Sequence, residues 1–560
     1  MKREDPLTAP DPKGTPSRLG NAAFARNEPC VTEPRPLGGG RRRTRAALGY
    51  PGLPHWCVAF TAAWAIIATG CMVGPKYQRP SAPVTSAYKE PPPPEFYKEW
   101  KQATPMEGVL RGKWWEIYKD PALNALEERV AISNQNVLLA EAQFREARAA
   151  IKVARSNLFP TLTPSPSASF SSSPANLGAA QVSSAGTVSS GGGGVHQLYT
   201  LPFDLTWQLD LWGGIRRTVS AATNTAQASA AQLENARLSY QAELAQDYFS
   251  MHGLDATKKL LEQSVNLYTE YVDLTKLRFQ QGVASQADVA LAQTQLESTR
   301  AQMIGVGVQR AQYEHAIAIL TGKPPAEMTI PETPWTTPPP PMPVGLPSQL
   351  LERRPDIAVA ERQVAAANEQ IGVAKAAYYP TLTLGGSGGF ESSSIAHWLT
   401  WPARFWALGP QLAETLLDFG KRRGTVQESE AAYDAAIANY RQTVLTAFQQ
   451  VEDNVAALRI LEEQAGAEQR AIGAAETSLD ITTDQYKQGV ADYLQVITAQ
   501  TARLTDQVTA VGILTNRMLA SVQLIEALGG GWDASQLPSP QDLRSNSASN
   551  SSTVPVSQQN

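Results

Sequence analysis

Three strings in this sequence carry residue types that reactive sites use. Gly385-Gly386-Ser387-Gly388-Gly389 has the spacing of a nucleophile elbow, where a sharp strand-to-helix turn lifts a serine hydroxyl for acyl transfer. The surrounding residues alternate as a strand does, and the string 220 residues earlier is Ser165-Pro166-Ser167-Ala168-Ser169. With no turn and no following helix expected, Ser387 is read as non-catalytic. Gly191 to Gly194 runs into Val-His-Gln and lacks the Lys-Ser/Thr that a phosphate-binding loop requires. Arg353-Arg354-Pro355-Asp356 has the charge to hold an anion, but it reads better as a helix start with structural ion pairs. His55, His196, His252, His315 and His397 are scattered without metal-ligand spacing. The chain is therefore expected to be no enzyme, with no catalytic residue, no metal site and no cofactor.

Composition narrows the class further. The 560 residues carry 48 basic and 52 acidic side chains, a net charge of −4, which argues against nucleic acid as a main partner. The three cysteines, Cys30, Cys57 and Cys71, all precede residue 72, so neither a disulfide framework nor a cysteine metal site holds the rest. Arg41, Arg42, Arg43 and Arg45 are followed by an apolar run from Trp56 to Ile67 and then by Ala68-Thr69-Gly70-Cys71. Basic, apolar, then small residues is the order of an export signal. Cysteine directly after Ala-Thr-Gly resembles a lipoprotein processing site, with Cys71 acylated and first in the mature chain. The apolar run is short for the roughly 20 residues that a transmembrane helix needs. Met72, in place of Asp, fits release toward an outer membrane.

The positioning elements come in two copies. Phe159-Pro160-Thr161-Leu162-Thr163 recurs as Tyr379-Pro380-Thr381-Leu382-Thr383, and Leu277-Arg278-Phe279-Gln280-Gln281-Gly282-Val283-Ala284 recurs 207 residues on as Asp484-Gln485-Tyr486-Lys487-Gln488-Gly489-Val490-Ala491. Asp210-Leu211-Trp212-Gly213 pairs with Asp418-Phe419-Gly420. The first copy is 13 residues longer between its motifs, which the Gly/Ser-rich run near Ser189 to Gly194 explains as a longer loop. So long a period indicates a duplicated half-protein and not a solenoid.

Each half reads helix, two strands, long helix, tight turn, helix. Residues 161–173, 198–211, 381–392 and 405–417 are the strands, with Phe203, Leu205, Trp207 and Leu209 on one face. Such lengths span a bilayer when tilted. Residues 217–281 and 422–488 contain no proline and predict helices of about 98 and 100 Å. The returns, 285–320 and 492–528, cover about 54 and 55 Å, and helices over 122–158 and 348–378 complete the length. Ser285 with Asp288, and Asp492 with Gln495, cap the returns, while Gly282 and Gly489 end the long helices. Four membrane strands cannot close a barrel, and open edges are not tolerated in lipid, so several copies must close it together.

This pattern resembles the TolC-like outer-membrane efflux factors, in their NodT-type lipoprotein branch. The resemblance rests on Cys71-Met72-Val73-Gly74-Pro75-Lys76-Tyr77, on residues 346–357 (Leu-Pro-Ser-Gln-Leu-Leu-Glu-Arg-Arg-Pro-Asp-Ile), on Gln485 to Val490 and on Glu526-Ala527-Leu528-Gly529-Gly530-Gly531-Trp532. It implies an α+β, mostly α fold. As a homotrimer its duplicated halves would form a 12-stranded transmembrane barrel continuous with a long periplasmic α-helical barrel. The expected organisation is an N-terminal extension and signal peptide (1–70), a lipid-anchored Pro-rich segment (71–120), a first repeat (121–322), a Pro-rich equatorial linker (323–347), a second repeat (348–532) and a disordered tail (533–560).

The resemblance also implies a function. Such proteins are passive exit ducts for small amphipathic compounds or drugs, energised by an inner-membrane pump of the resistance-nodulation-division type through a periplasmic adaptor. A duct for polypeptides secreted by an ATP-driven exporter, or a non-porous periplasmic spacer, are the alternatives. Lipidation falls on Cys71, outer-membrane lipid is a partner, and the helical part lies in the periplasm. The turns Gly282-Val283-Ala284-Ser285 and Gly489-Val490-Ala491-Asp492 would be the tip on which the adaptor docks. Relatives often place Asp and Arg where this sequence has Thr498 and Thr501, forming a charged latch; here an apolar ring from Leu494 with hydroxyls from Thr498 and Thr501 is the expected gate.

Overall fold

The computed structural model describes residues 72–85, 88–90, 112–172, 181–182, 188–189, 195–341 and 350–544. The chain divides into Met1–Trp64 and Ala65–Asn560; the first unit, with the expected signal's basic stretch, lies outside the described residues, as does Cys71.

The helices are α1 (Pro121–Ser133), α2 (Gln135–Ser156), α3 (Gly214–Gln280), α4 (Gln286–Leu320), α5 (Leu350–Arg353), α6 (Pro355–Ala376), α7 (Lys421–Lys487), α8 (Tyr493–Ala527) and α9 (Pro540–Arg544). The two long helices, α3 and α7, have 67 residues each, about 100 Å. Along α3 pack α2, α4, α6 and α8, and along α7 pack α6 and α8. The halves therefore interleave around one apolar core, in which Trp114, Leu123, Phe249, Met251, Val451 and Met518 are buried at the level where shorter helices meet end to end.

Those meeting points follow the sequence repeat. The helix expected over 122–158 is in fact two, broken at Asn134. This residue is extended, its side chain accepts from the N–H groups of Asn136 and Val137, and its Nδ2 donates to the carbonyl of Leu320 at 2.9 Å. One side chain thus caps the start of α2 and the end of α4. In the second half Arg354 takes this place: its Nη1 donates to the Ala527 carbonyl at the end of α8, and its Nε and Nη2 grip Asp356 at the start of α6. Arg354-Pro355-Asp356 is the helix start with ion pairs that the sequence suggested, and the carboxylate already occupies its guanidinium. Each joint also needs a glycine. Gly322 and Gly529 are left-handed (φ +73° and +94°), and an added Cβ would lie 2.4 Å from the Ser133 oxygen and 2.0 Å from the Arg353 oxygen.

The strands are β1 (Thr161–Pro164), β2 (Ser167–Ser172), β3 (Gln181–Val182), β4 (Val188–Ser189), β5 (Val195–Leu209), β6 (Thr381–Ser392) and β7 (Arg404–Ala413). β1 and β2 occupy one position, interrupted at Ser165-Pro166 because proline has no ladder N–H. Among the described residues the sheet is antiparallel in the order β1/β2, β5, β6, β7, with both outer positions unpaired on one side. The extra length of the first copy holds the small β3–β4 ladder. β7 stops at Ala413, short of the expected 417. At the corners Asp210 accepts from the N–H groups of Ile215 and Arg216, and Asp418 from those of Gly420 and Arg422, which starts α3 and α7.

The expected disordered tail is corrected over 533–544. Asp533 caps a short helical turn at Ala534–Gln536, Ser539 and Asp542 cap each other at the start of α9, and Leu543 is buried against Ile151 and Ala226. Its Ser/Gln-rich composition hid a few well-spaced apolar residues, Trp532, Leu537 and Leu543, that have a helix groove to fill. Residues 545–560 lie outside the described residues.

Candidate functional site

Strand register decides which side chains share a face, because direct cross-strand partners point the same way. One face of the sheet carries Leu162, Pro164 and Phe170, then Leu201, Phe203, Leu205, Trp207 and Leu209 of β5. Leu382, Leu384 and Phe390 of β6 and Trp406, Leu408, Pro410 and Leu412 of β7 continue it. The other face carries Thr161, Thr163, Ser167, Ser169, Ser171, Thr200, Asp204, Thr206, Thr383, Ser387 and Gln411. An apolar face against a hydroxyl-rich one is what a membrane barrel wall needs outside and inside. The apolar face is open: Trp406, Leu408 and Leu412 are 83%, 77% and 69% exposed. β6, with 12 residues, is about 37 Å long and rises about 26 Å at a 45° tilt, the height of a bilayer's apolar band. Aromatic side chains sit at its two ends. Near the helices, Trp207 and Trp212 donate their indole N–H groups to Leu158 and Pro380 carbonyls, and Trp212 stacks on Tyr379. At the far end Phe170, Tyr199 and Trp398 form a row with centroids 6.0 Å apart.

Ser387 lies in the middle of β6 and donates to Asp204 Oδ1 at 2.6 Å, inside the polar face. It sits in regular strand, with no turn to lift its hydroxyl. His252 is buried with Nδ1 3.0 Å from Asp255, whose other oxygen takes Arg310 Nε at 2.7 Å; this network ties α3 to α4 and to Thr333 of the linker. Among the described residues no cluster of His, Cys, Asp and Glu has metal-binding geometry.

At the opposite end of the long helices the two turns lie side by side. Gly282 and Gly489 are left-handed (φ +74° and +78°), and the N–H groups of Val283 and Val490 reach back to the carbonyls of Arg278 and Gln485 at 2.9 Å. Ser285 and Asp288 form a reciprocal capping box, and Asp492 caps the Gln495 N–H. Capping leaves Val283 and Val490 at the apex, 63% and 76% exposed. A tie between the hairpins is absent from the sequence reading. Arg278 Nη1 donates to the Tyr486 carbonyl at 2.6 Å, and its guanidinium lies 4.3 Å above the Tyr486 ring. The available signal was an asymmetry between the copies, in which Arg278 aligns with neutral Gln485. Tyr268, Tyr271, Tyr486 and Tyr493 pack together behind it, and burial pushes the Tyr493 hydroxyl pKa up.

Leu494, Thr498 and Thr501 fall on one exposed face of α8, at i, i+4 and i+7, and Thr505 extends it. The opposite face, with Tyr493, Val496, Ile497 and Leu504, is buried. The Thr498 and Thr505 hydroxyls donate to the Leu494 and Thr501 carbonyls at 2.8 Å. The stripe is thus apolar at the tip and methyl-and-hydroxyl above, without a fixed charge. At the membrane end, Val73 N–H donates to the Trp212 carbonyl at 3.1 Å, and Met72 packs against Gly213, at the corner between β5 and α3. The residue next to Cys71 is thereby held at the lower aromatic belt.

A family model described as "Outer membrane efflux protein" matches residues 126–323 and 346–530. The antibiotic efflux pump outer membrane protein ArpC and the toluene efflux pump outer membrane protein TtgC, both of Pseudomonas putida, are each 29% identical over 470 residues, 84% of this chain and 94% of theirs. The solved outer-membrane channel OprN is similar at a TM-score of 0.72 and 27% identity, covering 82% of this chain and all of that one. A tandem sheet-and-helix architecture with an apolar strand face, and a family model spanning both repeats, lead to one conclusion: the chain belongs to the outer membrane efflux protein family.

Proposed function

We propose that this protein is the outer-membrane exit duct of a tripartite efflux system, a homotrimer that carries small amphipathic compounds out of the cell. One observation supports it above the others: a four-stranded sheet, open at both edges, with an apolar and a hydroxyl-rich face, leads directly into two 67-residue helices. Three such sheets close a 12-stranded barrel, and closure satisfies the unpaired edges in lipid. The names of ArpC and TtgC point to antibiotics and aromatic solvents as cargo chemistry. A duct lined by Ser, Thr, Gln and Ala selects little, so the inner-membrane pump, of the resistance-nodulation-division type, chooses the cargo.

The remaining assignments follow the same geometry. Residues 121–322 and 348–532 act as two repeats joined by a linker at 323–347. Acylated Cys71 anchors the chain in the membrane, and with Met72 at the β5–α3 corner that anchor lies at the periplasmic interface of the barrel. Helices then extend about 100 Å into the periplasm. Gly282-Val283-Ala284-Ser285 and Gly489-Val490-Ala491-Asp492 dock the adaptor through Val283 and Val490. Leu494, Thr498 and Thr501 line the closing constriction, held in place by the Arg278–Tyr486 tie. Photo-crosslinking from residues 283 and 490 in intact cells tests the docking. Capture of a periplasmic adaptor at both positions is expected; an outer-membrane protein that captures none would refute it.

A further inference from the structure

Resting on the membrane reading above, we infer that the outer rim of each barrel segment binds the phosphorylated headgroup of an outer-leaflet glycolipid through Arg404. The helices leave the sheet at Thr161, Leu209, Thr381 and Ala413, so the opposite ends of the strands, with residues 393–403, form the rim away from the periplasm. Arg404 opens β7 and is the register partner of Phe390, which places its side chain on the apolar, lipid-directed face. Its guanidinium lies 3.0 Å over the Trp401 ring, and its Nε donates to the Trp401 carbonyl at 3.0 Å. Stacking and that single bond orient the planar fork and direct its two terminal nitrogens elsewhere.

Among the described residues, no carboxylate meets them. Arg404 makes no ion pair among the described residues, and neither residues 393–403 nor the sequence 173–194 between β2 and β5 contains Asp or Glu. The nearest acid in sequence at the rim, Glu391, is the register partner of Thr200 and so belongs to the polar face. Around Arg404 the surface is apolar and continues the lipid-facing wall: Ile395, Leu399, Trp401 and Trp406 are all strongly exposed, and Trp398 packs on Tyr199 of that face. An unpaired cation above an apolar band fits a ligand with an anionic head and acyl chains. A phosphate offers the geometry the guanidinium fork binds in bidentate fashion, and acyl chains lie along Trp406 and Leu408.

The test titrates the detergent-purified assembled protein with diphosphoryl lipid A, with its dephosphorylated form, and with inorganic phosphate, read by native mass spectrometry. The diphosphoryl form is expected to bind about tenfold tighter than the dephosphorylated one, as a charge-assisted pair at one arginine would give. Equal binding of the two lipids, or displacement by inorganic phosphate at matched concentration, would overturn the proposal, and neither result depends on a variant folding. Arg404→Gln should abolish the preference and Arg404→Lys retain part of it; an unchanged preference in Arg404→Gln places the site elsewhere and also overturns it. If the native protein fractionates away from the outer membrane, the membrane reading itself fails; with the protein in the outer membrane, a missing preference removes only the lipid site.

Discussion

Gly529 and Gly282 are both left-handed glycines, yet replacing them should have unequal consequences. At Gly282 (φ +74°) an alanine Cβ would meet nothing within 4 Å, so Gly282→Ala costs only the strain of a left-handed L-residue, about 1–2 kcal/mol. At Gly529 (φ +94°) the same Cβ would stand 2.0 Å from the Arg353 oxygen and 2.8 Å from its carbonyl carbon. Both are backbone atoms and cannot swing aside. Overpacking adds about 1–3 kcal/mol, and pushing the backbones apart also strains the bond from Arg354 Nη1 to the Ala527 carbonyl. Gly529→Ala should therefore destabilise by about 2–5 kcal/mol. Thermal melts of the helical circular dichroism signal, on the two variants in the same detergent, give the ordering directly. If Gly529→Ala melts no lower than Gly282→Ala, the end-to-end packing of α8 on α6 is not the rigid joint described above.

Leu494→Ala should raise single-channel conductance and antibiotic sensitivity through a wider constriction; unchanged values would remove Leu494 from the gate. Arg278→Ala, which deletes the tie to Tyr486, should likewise raise conductance while leaving melting nearly unchanged, and a variant as closed as wild type would show that the tie does not hold the tip. Leu543→Ala should cost roughly 2–3 kcal/mol by opening a cavity against Ile151 and Ala226, and protease should cut between residues 532 and 543 faster than in wild type. Glu127 is fully buried with no hydrogen-bond partner for either oxygen among the described residues, and burial pushes its pKa well above the ordinary carboxylate range. A raised folded pKa means the folded state holds the proton more tightly, so its contribution is complete below about pH 4.3 and declines as pH rises toward the folded value. Glu127→Gln should therefore gain stability over wild type at pH 8 and gain much less at pH 4; equal gains at both would show that Glu127 is not protonated in the fold.

Most of the architecture was legible because the chain states it twice. Strand-turn-helix strings recurring near 210 residues mark both corners, and proline-free stretches define α3 and α7 to within three residues at each end. The break at Asn134 was less visible, since a single Asn inside a helical pattern signals a cap only when the end of another helix, here Leu320, is brought to it. The packed segment 533–544 was hidden for a similar reason: its few apolar residues become meaningful only against the groove between α2 and α3. At the tip, turns and caps could be read from Gly282, Ser285, Gly489 and Asp492, because capping is local chemistry. The Arg278–Tyr486 contact joins residues 208 apart in sequence, and no local pattern announces it.

In the homotrimer proposed above, one chain supplies a third of a closed barrel. Cysteines introduced at Thr163 of β1 and Gln411 of β7, the two open edges, would be crosslinked with a flexible bifunctional reagent in isolated outer membranes and resolved by mass. A covalent species of three chains, and none larger, is expected. Crosslinks confined to single chains, or a ladder extending past three, would contradict it.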